Sequence, residues 1–400
     1  MDTIKRAVNS VIDEVISLRR DFHANPELGF AEHRTAGIIE EYLHELGIAT
    51  KRMAETGVVG MIEGENSNPV LLLRADMDAL PVEEANDLSY CSGCPGVMHA
   101  CGHDAHMAML LGAARVLKGI SNELAGSIKL VFQPNEEVAG ALSMIEEGVL
   151  QNPTVDAAMG LHIWAPLVTG KIGVCSGAVM GGLEVFKITV QGKGGHTGYP
   201  ETAIDPVIAA ADIIQTAQRI QTREISPGKP TAIIFGRISG GTRANIIPDT
   251  VILEGSVRTL YADHEDENPM QRLKQLAEKV TAVHGCSCKV EWYRENIPLI
   301  NDPFMARLAA AVTREMLGSE GLVSDLACMP SEDFSEFSAR VPGVFTFLGT
   351  GNKEKESDYS HHNPRFNIDE DSLPLGVEMF VRFALRFFND EEVLKSKTIY

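Results

Sequence analysis

Residues 69–78 read PVLLLRADMD. This apolar run, opened by a proline and closed by acids, has the length and composition of a strand, with Asp76 and Asp78 at its C-terminal end. Neighbouring stretches repeat the pattern. VVGMIEG (58–64), GSIKLVFQPNEE (126–137) and DAAMGLHIW (156–164) are strand-like, while AHMAMLLGAARVLK (105–118) and AGALSMIEEGVL (139–150) have helical apolar spacing. Upstream, FAEHRTAGIIEEYLHEL (30–46) reads as a helix ending at Gly47. Alternating strand and helix predicts an α/β fold with a mostly parallel sheet covered by helices. Asp76, Asp78, Glu136, Glu137 and His162 each fall at or just past the C-terminal end of one of these strands, where open α/β sheets place their sites.

From residue 183 the pattern changes. EVFKITVQGKGGH (184–196) reads as strand, AIDPVIAAADIIQTAQRIQ (203–221) as helix, TAIIFGRISGG (231–241) and DTVILEGSVRTL (249–260) as strands, PMQRLKQLAEKVTAVHG (269–285) as helix and CSCKVEWYREN (286–296) as strand. That order is the split β-α-β-β-α-β unit of ferredoxin-like α+β domains. It predicts a second domain over 183–295, inserted into a catalytic domain formed by 1–182 and 296–400. After the insertion come a helix, PFMARLAAAVTREML (303–317), and the buried-looking strand GVFTFLGTG (343–351), followed closely by His361 and His362. One sheet face of such a sandwich is covered by helices, and the other is free to bury a second copy of the chain.

The totals agree with a two-domain globular chain: 400 residues, 44% hydrophobic and 22% charged, without the long apolar run of a membrane span. Acids outnumber bases 55 to 35, and the net charge of −20 opposes binding to nucleic acid or an anionic membrane. Small molecules are the expected partners. The N-terminus interleaves charges with apolar residues and lacks a secretory signal's apolar core, which predicts a cytoplasmic address. Seven cysteines, an odd number at low density, predict reduced thiols. Cys91 and Cys94 have CxxC spacing but follow the polar stretch VEEANDLSY, so they read as unpaired loop cysteines; Cys286 and Cys288 have the wrong spacing to complete a zinc knuckle with them.

The chemistry concentrates in VMHACGHDAHMAML (97–110), where His99, Cys101, His103, Asp104 and His106 crowd together. A redox or nucleophilic cysteine, a metal site, and a polar loop before a helix are the competing readings. Cys101 and His103 stand two apart, so loop or extended backbone can turn both toward one ion. Thiolate and imidazole suit zinc and its neighbours, and Glu137, His162 and His362 add oxygen and nitrogen donors. Five ligands exceed one four-coordinate ion and suit two, with one ligand shared. Glu136, pointing away from Glu137, becomes the candidate general base for a water acidified by the ions.

Taken together, RRDFHANPELGFAE (19–32), RADMDALP (74–81), MHACGHDAH (98–106), FQPNEE (132–137), GLHIW (160–164), GKGGHTGYP (192–200), ANIIPD (244–249) and HHNPRF (361–366) resemble the M20 metallopeptidases, in the amidohydrolase branch of aminoacylases, hippurate hydrolases and auxin-conjugate hydrolases. The resemblance implies two divalent ions per subunit, zinc or manganese with cobalt and nickel as alternatives, held by Cys101, His103, Glu137, His162 and His362. It implies Glu136 as base and Cys101 as a bridging thiolate. More distant members carry a metal-binding His in an H-x-D element where this chain has Asp76-Met77-Asp78, so Asp76 and Asp78 are expected behind the ligands. Asp104 is expected to cap its helix or orient a ligand imidazole; His99 and His106 are expected to be structural or to stand behind the ligands. The same resemblance implies that His196 steadies an oxyanion, from a partner subunit, and that Asn245 and Arg258 hold the substrate's carboxylate. The implied activity is hydrolysis of an N-acyl amino acid or small conjugate, with a dipeptidase or carboxypeptidase as the alternative, in a homodimer joined through the inserted domain.

Overall fold

The computed structural model describes residues 3–262, 268–391 and 393. The chain forms two compact units, one drawn from Met1–Val179, Ile300–Ala327 and Asp333–Tyr400, the other from Met180–Leu299 and Cys328–Glu332. Among the described residues, no helix is long and apolar enough to cross a membrane.

The first unit is built on an eight-stranded sheet in the order Thr50–Met53, Gly57–Ile62, Ser127–Gln133, Val70–Asp76, Ala157–Val168, Gly343–Gly351, Ile172–Gly173, Leu322–Val323. Its four central strands are mutually parallel, and antiparallel pairing appears toward the edges. Val70–Asp76, Ser127–Gln133 and Gly343–Gly351 are buried along their whole length, as expected of central parallel strands covered on both faces. Parallel register sets Asp76 beside Gln133 and His162 beside Phe347. The helix His103–Gly119 is apolar nearly all round and buried accordingly, packed against Thr3–Ala24 and Leu373–Phe388.

Some boundaries differ from expectation. The upstream helix spans His33–Glu45, because Phe30 has a positive φ of 58° and cannot belong to it. The helix expected over 139–150 shortens to Ala141–Glu146, because Asn135 and Ala139 are both left-handed and close a tight turn before it. His162 lies inside its strand, which runs on to Val168, rather than at the end.

The second unit has a four-stranded antiparallel sheet in the order Thr231–Gly240, Thr250–Thr259, Gly182–Gln191, Ser287–Asn296. Its helices, Pro206–Arg219 and Pro269–Val283, bury one sheet face through Phe186, Ile188, Val190 and Leu253 against Ala209, Ile213, Leu273 and Ala277. Both helices start alike: Asp205 and Asn268 accept backbone N–H bonds as caps, and a proline follows at the first helical position. This is the β-α-β-β-α-β order with ferredoxin-like strand arrangement. On the edge strand, Ile234 and Ile238 are exposed.

Candidate metal centre

Parallel strands deliver their C-terminal ends to one edge of the first unit, and the polar residues gather there. Cys101, in the loop before the helix His103–Gly119, is reached by His103 and His162, the three ligand atoms lying within 4.8 Å of one another. Cys101, Glu137 and His362 form a second group on the same criterion. The two groups share the sulfur. His103 also lies within that range of Glu136 and Glu137.

Hydrogen bonds fix which atoms face this space. His103 Nδ1 donates to Asp78 Oδ1 at 3.2 Å, leaving Nε2 buried and without a hydrogen bond. His162 Nδ1 donates to the carbonyl of Ile163, so its Nε2 lone pair faces Cys101 Sγ at 3.5 Å. Glu137 Oε1 is also buried, and His362 Nε2 pairs with it at 3.3 Å. His362 is held in a left-handed conformation, φ 64°, with its N–H bonded to the carbonyl of Ala100. Buried polar atoms left unpaired call for a reason. That of His103 belongs to the expected donor set and lies within the groups around Cys101, so the residues present fit divalent cations.

Electrostatics agree. Burial, then the negative charges of Glu137, Glu136 and Asp76, push the Cys101 thiol well above its ordinary pKa. Nucleophilic and redox cysteines need the opposite, a cationic setting that favours thiolate. Here only an added cation would ionise the sulfur. Burial disfavours a charged His103, but Asp76, Asp78 and Glu137 outweigh it and hold its pKa up at about 10. Burial, with His106 and His361, keeps His162 well below its usual value. All seven cysteines are free thiols.

Asp78 does more than orient His103. Its Oδ1 accepts the N–H of Glu136 at 3.0 Å and its Oδ2 that of Glu137 at 3.1 Å. Asp76 accepts from Arg74 at 2.6 Å and from His106 Nδ1 at 2.5 Å, while His106 Nε2 accepts the N–H of Ile163 at 2.9 Å. Both nitrogens of His106 are therefore used, although proximity alone would group it with Asp76 and His103 as a donor. His99 is buried with neither ring nitrogen hydrogen-bonded, and burial keeps it neutral with its pKa down at about 4.

Asp104 differs from expectation. The helix is capped by Gly102, without a side-chain bond, and Asp104 touches no ligand imidazole. It pairs instead with Arg19 Nε and His23 Nδ1, both at 2.8 Å and fully buried. Sequence reasoning missed those partners, as it missed Arg74, which also binds Gln133 and Asp333. An arginine inside an apolar strand, and the motif RRDFHANPELGFAE, were the available signals.

In the second unit, His196 and Asn245 line one depression of about 730 Å³ where Gly195–His196 pairs with Ile246–Ile247. His196 Nδ1 accepts the N–H of Gly198 at 2.9 Å, which leaves Nε2 as the proton-bearing nitrogen of the neutral ring. Arg258 is elsewhere, near the far end of Thr250–Thr259, donating to the carbonyl of Met329. The structure does not bring Asn245 and Arg258 of one chain together.

Fold and donor set define a metal-dependent hydrolase of amide bonds. The chain belongs to peptidase family M20/M25/M40, whose pattern matches residues 72–386. It is 38% identical over 391 residues to IAA-amino acid hydrolase ILR1-like 5 of Arabidopsis thaliana, covering 96% of this chain and 89% of that protein. It is 37% identical over 399 residues to thermostable carboxypeptidase 2 of Saccharolobus solfataricus, covering 97% and 99%. Among solved structures, the YXEP protein of Bacillus subtilis, described as a dinuclear metal-binding peptidase of the M20 family, superposes with a TM-score of 0.81 at 32% identity, covering 94% of this chain and 98% of that one.

Proposed function

We propose that the protein hydrolyses the amide bond of N-acyl amino acids or related small conjugates, at a centre for two divalent cations held by Cys101, His103, Glu137, His162 and His362. Zinc and manganese are the first candidates, with cobalt and nickel behind them. The observation that carries the reading is the pair of donor groups sharing Cys101, in a chain similar to an IAA-amino acid hydrolase. When bound, such ions supply Lewis acidity to an amide carbonyl and to a water beside it.

The chain's own residues do the rest. Glu136, whose Oε2 lies 4.0 Å from His103 Nε2, takes a proton from the attacking water and passes it to the leaving amine nitrogen. Asp78 keeps His103 in the tautomer that presents Nε2 to a cation. His196 has a free Nε2–H to give to the carbonyl oxygen as negative charge develops. Asn245 and Arg258 are assigned to the substrate's carboxylate. Eight strand steps, roughly 27 Å at the usual rise, run from Thr250, near the Asn245 turn, to Arg258. His196 would serve the site of a partner subunit. The reading includes a homodimer joined through the inserted unit and a cytoplasmic address.

A peptidase reading shares every residue, and the likeness to a carboxypeptidase favours it as the second choice. Rates on N-acetyl, N-benzoyl and indole-acyl amino acids, with dipeptides alongside, separate the two. The first reading expects the blocked substrates to be cleaved with the higher kcat/KM. Preference for dipeptides with a free amino group would favour the second.

A further inference from the structure

The stretch PELGFAEH (26–33) contributes no residue to the donor set, yet it meets the turn that carries Glu136 at two points. Glu32 is completely buried, and its Oε1 accepts the backbone N–H of Asn135 at 3.0 Å. Its Oε2 accepts the hydroxyl of Thr56 at 2.6 Å. Gly29 lies so close to Asn135 that an added Cβ would stand 2.0 Å from the Asn135 side-chain oxygen. Asn135 is itself left-handed, φ 54°, and its carbonyl accepts the N–H groups of Val138 and Gly140. With Asp78 holding the next two amides, buried carboxylates bind three successive N–H groups, those of Asn135, Glu136 and Glu137.

We infer that Glu32 is a positioning residue for the reaction: by clamping the Asn135 N–H it fixes the left-handed turn that aims the Glu136 carboxylate. The inference rests on the assignment of Glu136 as base. Asp78 holds the Glu136 and Glu137 amides and also His103, so changing it would disturb base and metal donors together; Glu32 holds the Asn135 amide and touches none of the proposed donors. Its role is geometric. A glutamine in its place still offers an oxygen to Asn135 N–H, and its amide group can donate to the Thr56 hydroxyl, which rotates to accept. An aspartate keeps the charge but withdraws the carboxylate by one methylene.

The test compares Glu32→Gln, Glu32→Asp and Glu32→Ala in metal-loaded protein, reading kcat per metal-loaded site, KM and metal content, with Glu136→Gln alongside. Positioning predicts that Glu32→Gln keeps kcat within about threefold, while Glu32→Asp and Glu32→Ala lose between about 10-fold and 10²-fold in kcat at unchanged KM and metal content, the scale of a misplacement near 1 Å. Should Glu32→Ala not fold, the glutamine and aspartate variants decide alone. The inference is overturned if the aspartate variant keeps full kcat, or if glutamine loses as much as aspartate, since that would make charge rather than geometry the requirement. An active Glu136→Gln enzyme would instead remove the base assignment itself, a separate outcome.

Discussion

Cys101 is where the competing readings part. Its sulfur is the donor common to both groups, and its anionic surroundings oppose thiolate unless a cation arrives. Cys101→Ser should therefore lose metal on dialysis and lose activity with it, measured by elemental analysis, whereas Cys91→Ser and Cys94→Ser should stay close to the parent. Glu136→Gln should separate base from ligand: both ions retained, rate down by at least about 10²-fold. Full activity with intact metal content would take Glu136 out of the mechanism. His103 gives a pH prediction for metal-free protein. Its pKa is raised to about 10 from an ordinary 6.5, so its contribution to stability is whole below about pH 6.5 and disappears as pH climbs through 10. The raised Cys101 pKa acts in the same direction at alkaline pH, because the unfolded chain releases that proton first. Melting temperature should fall between pH 7 and 10 without metal and change far less with it. A flat metal-free profile would show that His103 carries no such shift.

Among the elements, Gly102 is the one whose backbone decides the site. It caps the helix His103–Gly119 at φ 90°, and a Cβ there would stand 2.6 Å from Ile163 Cγ1, next to His162. Gly102→Ala should cost about 1–2 kcal/mol from the left-handed backbone alone and weaken metal binding as Ile163 is displaced. Calorimetry with a chelator competition measures both, and an alanine variant matching the parent in each would contradict the packing. The strands were legible because parallel strands buried on both faces read as unbroken apolar runs: Val70–Asp76 and Gly343–Gly351 appear in the sequence almost as they stand in the sheet. The proposed donors could be picked out because His162, Glu137 and His362 fall in or just after apolar strands and Cys101 and His103 share one short polar stretch. Asp104 was misread because a first-turn acid before a helix is equally a cap, and nothing local announces Arg19 and His23, more than eighty residues away. Glu32 and Arg74 escaped for the same reason: their partners are set by tertiary contact, not by spacing.

For the whole molecule, the proposed homodimer makes a shared site testable. His196→Ala and Glu136→Gln proteins, each inactive, should regain part of the activity after subunit exchange, because some mixed dimers hold one site with both residues intact. If exchange is demonstrated and no activity returns, His196 acts within its own subunit or not at all. The central claim is that amide hydrolysis depends on two cations in donor groups that share Cys101. The most direct measurement is a titration of metal-free protein with manganese or zinc, following hydrolysis of an N-acyl amino acid against equivalents of metal per chain. The account predicts activity that reaches its plateau at two equivalents. A plateau at one equivalent, or activity undiminished in metal-free protein, would contradict it.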